Sequence, residues 1–325
     1  MNRFFIAVLV LAAALPQLRA GTNAAVQATN AASVTPDPND PVEKEYKKLM
    51  ADDDAAQSEI DGWLRDNEKF AKEGAGVPGD EMSRRIRQRL MPIGNAYEDF
   101  LKRHPDHARA HVAYGSFLND LQDEDGARAQ WEKALALNSK DPAVYNNLAN
   151  LYGHIGPVKK AFEYYAKAIE LNPREPVYYH NMGDTVFLFR KDACEYYGIT
   201  EQQVFDKALK LYEHALELAP KDFPLATEVA QTYYGIRPFR ADEALKAWTN
   251  TLAIAQSDEE REGVYVHMAR VNLIAGRFAL ARSYLGSVTN ETYKELKTRL
   301  AHNIEKQEKD ALNPTNAPPA KAALK

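Results

Sequence analysis

Apolar residues recur along this chain at spacings of three and four, the period of one face of an α-helix. Between residues 142 and 173 two such stripes follow each other, separated by Gly156-Pro157 and closed by Pro173, residue types that interrupt helices. The stripes consist of Tyr145, Leu148, Ala149 and Tyr152, then of Ala161, Tyr165 and Ala168. This pattern predicts a pair of helices joined by a short turn.

The helix pair recurs along the chain with a basic period of 34 residues. Small residues mark the first helix, alanine and aromatic positions mark the second, and a proline closes two of the units: Gly115, Ala149 and Gly183; Ala127, Trp131 and Ala134; Ala208, Tyr212, Ala215 and Pro220. Tyr212 follows Tyr165 by 47 residues, so 13 additional residues lie between Gly183 and Ala208. Trp248 follows Tyr212 by 36 residues, and a weaker unit extends to about residue 290.

These positions resemble the tetratricopeptide repeat family, whose pattern has an aromatic residue, Leu, Gly or Ala, and Tyr in the first helix, then Ala, an aromatic residue, Ala and Pro. The resemblance implies an all-α fold, a right-handed superhelical solenoid of antiparallel helix pairs with a concave inner groove. Small residues let paired helices approach to about 8–10 Å. We expect the aromatic residues of the second helices to fill the space toward the next unit: Trp131, Tyr165, Tyr212 and Trp248.

Six segments follow from these patterns: a signal peptide at 1–20, a disordered linker at 21–41, an N-terminal helical region at 42–107, about five repeats at 108–290, a capping helix at 291–309 and a disordered tail at 310–325. The linker and the tail are rich in Ala, Asn, Thr and Pro, and they cannot bury enough apolar surface to fold. The N-terminal region is predicted as two helices, of which the second ends in the repeat-like residues Tyr97, Phe100 and Pro105. Whether this region caps the array or folds apart is left open.

An insertion near 190–203 distinguishes the third unit. We expect a lengthened first helix that stops at Gly198, and a new helix whose capping box is formed by Thr200 and Gln203. The insertion is either a neutral extension or a partner-specific lip on the array. Cys194 within it is expected to be a buried thiol on a helix, the alternative being an intermolecular disulfide or a reactive thiol.

The first twenty residues have the features of an export signal. Asn2 and Arg3 precede the apolar run Phe4–Leu15, and Leu18-Arg19-Ala20 ends in a small residue before Gly21. Twelve apolar residues span only about 18 Å as a helix, too little for a hydrocarbon core of about 30 Å. We therefore expect cleavage after Ala20 and a periplasmic or extracellular location, the alternative being an uncleaved anchor.

Composition restricts the possible chemistry. The chain has 41 basic and 46 acidic residues, a net charge of -5, which disfavours nucleic-acid binding. Its one cysteine excludes an intramolecular disulfide and a cysteine-based zinc site. No zinc-protease, Walker, dinucleotide-binding or hydrolase-elbow motif occurs. We therefore expect no cofactor, no catalysis, and membrane association only through partners or an uncleaved signal; the oligomeric state is left open.

Two clusters of metal-ligating residue types are better explained by turns. His104, His107 and His111 lie close together, but Pro105 interrupts the helix between them, and we expect a solvated turn. A partial calcium-loop pattern consists of Asp123, Asp125, Gly126 and Glu132. Leu121 holds the position of the first ligand, so the repeat pattern explains this segment better.

Two charged clusters are expected on exposed helix faces. Asp52, Asp53 and Asp54 form the acidic one. The basic cluster consists of Arg84, Arg85, Arg87 and Arg89, whose spacing spreads the charges around a helix. A contact between this basic cluster and an acidic or membrane surface is the alternative.

The family resemblance also implies a binding site, because tetratricopeptide arrays bind extended or helical peptides in the groove. The first-helix positions left free by packing are Arg109, Val112, Ser116, Asn119, Asn146, Asn150, His154, His180, Asp184, Phe187, Thr227, Gln231 and Tyr234. Asn146 and Asn150 lie one turn apart and could hold adjacent peptide amides. Some family members bind a terminal carboxylate with lysine and arginine side chains in this groove. Arg109 is the one cation among the positions above, so we do not expect that activity here.

Three functions compete at this point. The first is a non-enzymatic scaffold of the bacterial envelope that binds a protein or peptide partner of unknown identity. The second is an accessory subunit of an envelope assembly or export machine, by analogy with other repeat proteins. The third is an enzyme with a groove site that uses His180 and Asp184, which lie four residues apart on a helix.

Overall fold

The computed structural model describes residues 37, 39–137 and 139–312, where the chain forms helices and no strand. The predicted signal peptide, most of the predicted linker and residues 313–325 lie outside the described residues. The α-helices are α1 (Pro41–Lys72), α2 (Gly79–Arg103), α3 (Ala108–Asp120), α4 (Glu124–Ala136), α5 (Pro142–Ile155), α6 (Val158–Leu171), α7 (Pro176–Leu188), α8 (Arg190–Tyr197), α9 (Glu201–Leu218), α10 (Phe223–Thr232), α11 (Ala241–Ile254), α12 (Asp258–Ile274), α13 (Phe278–Gly286) and α14 (Lys294–Leu312). The predicted all-α fold class is confirmed.

The helices pair as the period predicts, because α3 packs on α4, α7 on α9, α10 on α11 and α12 on α13. Short polar residues begin several of these helices. Asp123 accepts a hydrogen bond from the backbone N–H of Gly126, and Asp222 accepts one from that of Leu225. Ser257 and Glu260 form a capping box at the start of α12.

The chain divides into two compact units, one ending at Leu151 and the other beginning at Tyr152, a boundary that falls within α5. In the first unit, α1, α2 and α3 share one hydrophobic core. The ring of Tyr97 on α2 stacks on Tyr114 of α3 with centroids 5.2 Å apart, and it lies 5.4 Å from Phe117. The N-terminal helices therefore pack on the first repeat helix.

Asp53 on α1 corrects an expectation, because it does not lie on a solvated face. Its side chain is buried and accepts a 2.7 Å hydrogen bond from the hydroxyl of Tyr97. Burial raises the pKa of Asp53 above its ordinary value, although the hydrogen bonds from Tyr97 and Gln57 lower it in part. Asp52 and Asp54 are exposed, as expected.

The aromatic residues of the second helices lie against the small residues of the first. A Cβ atom added to Gly115 would lie 2.5 Å from Cδ1 of Trp131, and one added to Gly183 would lie 2.6 Å from Cε1 of Tyr212. These two rings therefore contact their own repeat, and Tyr212 also contacts Thr232 of the next one. That Trp131 fills the space toward the next repeat stays a prediction. Tyr165 does reach the next repeat, where its hydroxyl accepts a 3.2 Å hydrogen bond from Thr185.

The expectation of a lengthened first helix in the third repeat is wrong. Helix α7 ends at Leu188, and the separate helix α8 begins at Arg190 after Phe189, whose φ and ψ are -101° and 43°. Gly198 ends α8 with φ 65°, a left-handed conformation that glycine adopts without steric cost. The predicted capping box of Thr200 and Gln203 is confirmed at the start of α9.

Helix α8 is fixed by aromatic contacts to the second helices around it. Phe162 of α6 lies 5.3 Å from the ring of Tyr196 and 5.4 Å from that of Tyr197. The ammonium group of Lys207 on α9 lies 4.1 Å from the Tyr197 ring centroid. Cys194 is half-buried rather than fully buried.

The C-terminal helices form a further core in the second unit, where Ile304 of α14 packs with Ala281 and Leu285 of α13. The predicted capping helix at 291–309 begins with a 3-10 turn, Glu291–Tyr293, and continues as α14. Glu262 fixes the preceding loop by accepting hydrogen bonds from the backbone N–H groups of Thr289 and Asn290. These contacts give the last helix a defined position on α12 and α13.

Candidate functional site

Packing residues predicted from the repeat are mostly buried. Those that lie inside the core are Gly115, Ala127, Trp131, Ala134, Leu148, Ala149, Tyr152, Ala161, Tyr165, Ala168, Gly183, Ala208, Tyr212, Ala215 and Trp248. Tyr145 is half-buried, whereas Pro173 and Pro220 are exposed between helices. The prolines therefore act at the helix ends rather than in packing.

Predicted groove positions of the first unit are largely engaged by the chain itself. Arg109 forms an ion pair with Glu43 of α1, and its guanidinium carbon lies 5.0 Å from the ring centroid of Tyr46. Ser116 accepts a 3.2 Å hydrogen bond from the side chain of Asn147. α1 therefore contacts the first groove position of the array.

The asparagines of this unit differ in accessibility. Asn146 is only 6% exposed, whereas Asn119 and Asn150 are half-buried. A peptide could therefore reach Asn119 or Asn150 more easily than Asn146. The predicted grip of one peptide by both Asn146 and Asn150 stays a prediction.

In the second unit, two predicted residues and one unpredicted residue meet on the exposed side of the first helices. His180 Nε2 lies 3.6 Å from the Asp184 carboxylate one turn along α7, and 3.0 Å from Glu228 Oε2 on α10. The contact between His180 and Glu228 is an ion-pair contact by distance, and His180 Nε2 makes no hydrogen bond of good geometry in it. We call His180, Asp184 and Glu228 together the α7–α10 cluster.

Buried Tyr212 of α9 fixes the orientation of Asp184. Its hydroxyl donates a 2.7 Å hydrogen bond to Oδ1, while Oδ2 is the oxygen nearer to His180. Burial raises the pKa of Asp184, and the charge of His180 and the bond from Tyr212 lower it only in part. Burial alone would lower the pKa of His180, but Glu228 and Asp184 together raise it above its ordinary value.

The predicted groove positions of the fourth repeat lie on α10 or directly after it. Gln231 is exposed on α10, and the hydroxyl oxygen of Thr227 is buried without a hydrogen-bond partner. Tyr234 donates a 3.3 Å hydrogen bond to the backbone carbonyl of His267, and Arg270 lies over its ring at 4.5 Å. Tyr234 therefore connects the fourth repeat to α12 of the fifth.

Sequence reasoning missed Glu228 and Arg270. Glu228 directly follows the predicted groove position Thr227, so a shift of one residue in the frame would have found it. Arg270 occupies, in the weaker fifth unit, the position that corresponds to Gln231 in the fourth, directly after the small residue of the first helix. The weak pattern of that unit hid it.

The turn at Pro105 and Asp106 is exposed and His104 is partly exposed, as expected, but His107 and His111 are not solvated, which corrects the expectation for these two residues. His111 is buried, with Nδ1 2.6 Å from Gln130 Oε1 and Nε2 2.9 Å from the carbonyl oxygen of Pro105. His107 accepts a hydrogen bond from the backbone N–H of Ala110 and lies 3.3 Å from Glu43. Both rings hold the start of α3 in place.

The clusters of metal-ligating and charged residue types form no metal site in the described part of the chain. No group of three or more His, Cys, Asp or Glu residues there is arranged to hold a metal ion. Asp123, from the calcium-loop pattern, caps α4 instead. Of the four arginines of the basic cluster, Arg85 lies over the ring of Trp63 at 3.8 Å and Arg89 forms a 2.7 Å ion pair with Glu59.

None of the helices in the described ranges combines the length and the apolar composition that crossing a bilayer requires.

A family profile described as "Tetratricopeptide repeat" matches residues 142–175 of this chain. Curated protein sequences give no match. Among solved structures, "YrrB: a TPR protein with an unusual peptide-binding site" is 16% identical, with coverage of 66% of this chain and 99% of that one and a TM-score of 0.49.

Two further solved structures are also similar. "PilW, widely conserved type IV pilus biogenesis factor" is 14% identical, with coverage of 73% and 97% and a TM-score of 0.48. The Pseudomonas aeruginosa pilF structure is 16% identical, with coverage of 75% and 99% and a TM-score of 0.46.

Proposed function

We propose that the chain is a tetratricopeptide repeat protein that acts as a non-enzymatic scaffold and binds a peptide or protein partner through the exposed side of its first helices. The observation that carries this proposal is the α7–α10 cluster. It places polar groups on the first-helix side of two successive repeats, while the aromatic residues of the second helices are used in packing. Such a rigid, polar surface suits recognition rather than chemistry.

The arrangement at His180 does not favour catalysis. His180 lies between two carboxylates and one carboxylate oxygen is used by Tyr212, so the ring is held as a charge partner. A hydrolase would need a nucleophile within hydrogen-bond reach of the histidine. The groups that contact His180 in the described residues are carboxylates and an aromatic ring.

A photo-crosslinking residue placed at Gln231 tests the proposal. Gln231 is exposed on the first helix α10, and Lys210, exposed on the second helix α9, is the matched control. We expect a discrete partner adduct from position 231 in cells and none from position 210. Equal adducts from both positions, or none from either, would contradict binding through the first helices.

We further propose that the chain is exported to the periplasm or the cell exterior after cleavage behind Ala20. Support comes from Arg3, the apolar run Phe4–Leu15 and the small residue before Gly21. N-terminal sequencing of the protein purified from a periplasmic extract is expected to start at Gly21. An intact Met1 terminus on protein found in the cytoplasm would contradict export.

An accessory role in an envelope assembly or export machine is the second proposal, and it rests on the same export signal. Co-fractionation separates the two. A scaffold subunit of a membrane machine co-sediments with membranes and is released when its complex is dissolved, whereas a free binding protein stays in the soluble extract.

A further inference from the structure

The carboxylates of the α7–α10 cluster differ from most others that face a neighbouring helix. Several such carboxylates pair with arginine: Glu43 with Arg109, Glu59 with Arg89, Asp206 with Arg240, Asp242 with Arg277 and Glu308 with Arg282. Within the described residues, neither Asp184 nor Glu228 has a lysine or arginine in ion-pair contact. The two carboxylates share a single histidine.

Both carboxylates are accessible, and one of them is fixed in place. The side chain of Asp184 is 47% exposed and that of Glu228 is 61% exposed. Asp184 cannot rotate freely because buried Tyr212 donates to its Oδ1. The surface therefore presents preorganised negative charge, which loses little entropy on binding a cation.

Exposed apolar side chains flank this charge along α7. Val177 is 40% exposed and Leu188 is 66% exposed. Residues 177, 180, 184 and 188 are separated by three, four and four positions, so they lie along one side of the helix. From Val177 to Leu188 the helix rises about 16 Å, the length of about five residues of extended peptide.

We propose that this side of α7, together with Glu228 of α10, binds a peptide segment in which a lysine or arginine side chain lies between two apolar side chains. The cationic group contacts Asp184 and Glu228, and the apolar side chains lie on Val177 and Leu188. Charge complementarity selects the basic peptide, and the exposed apolar pair sets its length. The inference rests on the proposed function, because it specifies the partner of that surface.

His180 then acts as an internal competitor for the ligand's cation. The groups that face it are Asp184 on its own helix, Glu228 on α10, the Tyr212 ring on α9 and the charge of Asp222 before α10. A protonated His180 offsets part of the negative charge that a basic peptide requires. Peptide affinity should therefore increase as the pH rises through a transition above about 6.5, the ordinary histidine value.

Selection of peptides from a random phage library on the full chain tests the inference. We expect the bound peptides to be enriched in lysine or arginine between apolar residues. The double variant Asp184→Asn/Glu228→Gln should lose this enrichment and bind a selected basic peptide about tenfold more weakly or worse. The control Glu213→Gln/Glu217→Gln removes the same amount of charge from α9, and it should keep both the enrichment and the affinity for the selected peptide. Circular dichroism checks that each variant is folded.

The outcomes separate this inference from the proposed function. Peptides that bind without basic enrichment, or that bind the Asn/Gln variant equally well, overturn the inference and leave the scaffold proposal standing. A chain that selects no peptide and gives no adduct from position 231 overturns both. A dimer by sedimentation that the Asn/Gln variant loses would identify a second copy as the occupant and would also overturn the inference.

Discussion

The indole ring of Trp131 occupies the space that a side chain at Gly115 would need. A Cβ atom on residue 115 would lie 2.5 Å from both Cδ1 and Nε1 of the ring, well inside van der Waals contact. The indole N–H donates a 3.2 Å hydrogen bond to the carbonyl oxygen of Val112, so the ring is held against α3 at two points. Gly183 and Tyr212 repeat this relationship in the second unit.

Replacing Gly183 by alanine should therefore destabilise the protein, although alanine is the better helix former. The new methyl group must displace the Tyr212 ring, which costs about 1–3 kcal/mol in a packed core. The measurement is the free energy of unfolding in urea. Gly62→Ala is the matched control, because a Cβ at this helical position meets no atom within 4 Å, and it should be neutral or stabilising.

Asp53→Asn should stabilise the protein at neutral pH. The pKa of Asp53 is raised in the folded state, so the folded chain binds this proton more tightly and loses stability as the pH rises through the folded pKa. The asparagine side chain still accepts the hydrogen bond from the Tyr97 hydroxyl, and the buried charge is removed. The free energy of unfolding should therefore rise by about 1 kcal/mol at pH 7. The gain should vanish below about pH 4, where the unfolded carboxyl is also protonated.

The control for that variant is Asp54→Asn, which removes one charge from an exposed neighbour on the same helix. Urea unfolding of both variants and the parent chain at several pH values checks the result. A constant difference between Asp53→Asn and the parent chain from pH 3 to pH 7 would rule out this explanation.

Two histidines of the second unit should have pKa values shifted in opposite directions from the ordinary histidine value. Burial, aided by the charge of Arg270, lowers the pKa of His267 to about 4, and its ring stacks on Trp248 at 4.2 Å. Its contribution to stability is therefore complete above about pH 6.5 and is lost as the pH falls toward 4. The pKa of His180 is raised by Glu228 and Asp184, so its favourable charge contacts are lost as the pH rises.

Carbon-proton NMR of the imidazole rings measures both titrations, with signals assigned from His267→Asn and His180→Asn. We expect the signal of His180 to shift at a pH above 6.5, where that ring loses its proton. The signal of His267 should still be that of a neutral ring at pH 5. Ordinary titration of His267 near pH 6.5 would mean that the ring is not packed against Trp248.

Arg109 and Arg103 both bind acidic residues of α1, but they should differ in importance. Glu43 is only 10% exposed, whereas Glu45, the partner of Arg103, is 37% exposed. Burial alone would raise the pKa of Glu43, but the hydrogen bond and charge of Arg109, with help from His107, lower it. Arg109→Met leaves that carboxylate buried beside only His107 and should cost about 1–3 kcal/mol.

Arg103→Met serves as the matched control and should leave the stability nearly unchanged, because exposed ion pairs contribute little. Hydrogen exchange of α1 amides is the sensitive measurement, since the first helix should open more often in the Arg109 variant alone. Similar exchange in the two variants would show that burial of Glu43 has no role in holding α1.

The sequence predicted those parts of the fold that depend on short-range periodicity. The spacing of Ala161, Tyr165 and Ala168 determines which side of α6 is buried, and Thr200 and Gln203 satisfy the N–H groups at the start of α9. The break at Phe189 could not be predicted in this way, because no proline or glycine marks it. It depends on the contacts of α8 with Phe162 and Lys207, which are distant in sequence.

The candidate site was predictable only in part, for the same reason. His180 and Asp184 lie four residues apart on one helix, so their approach follows from the sequence. Glu228 comes from the next repeat, and Tyr212, which fixes Asp184, comes from the second helix beyond a 13-residue insertion. Likewise, the ion pair of Glu43 with Arg109 depends on how α1 folds back, which no local pattern records.

The most direct test of binding through the first helices is a TROSY NMR titration of the full chain with a peptide selected on it. The account predicts that amide shifts concentrate at His180, Asp184, Glu228 and Gln231, with Glu213 and Lys210 of α9 unchanged. Shifts that concentrate on α9, or on the N-terminal helices α1 and α2, would contradict it.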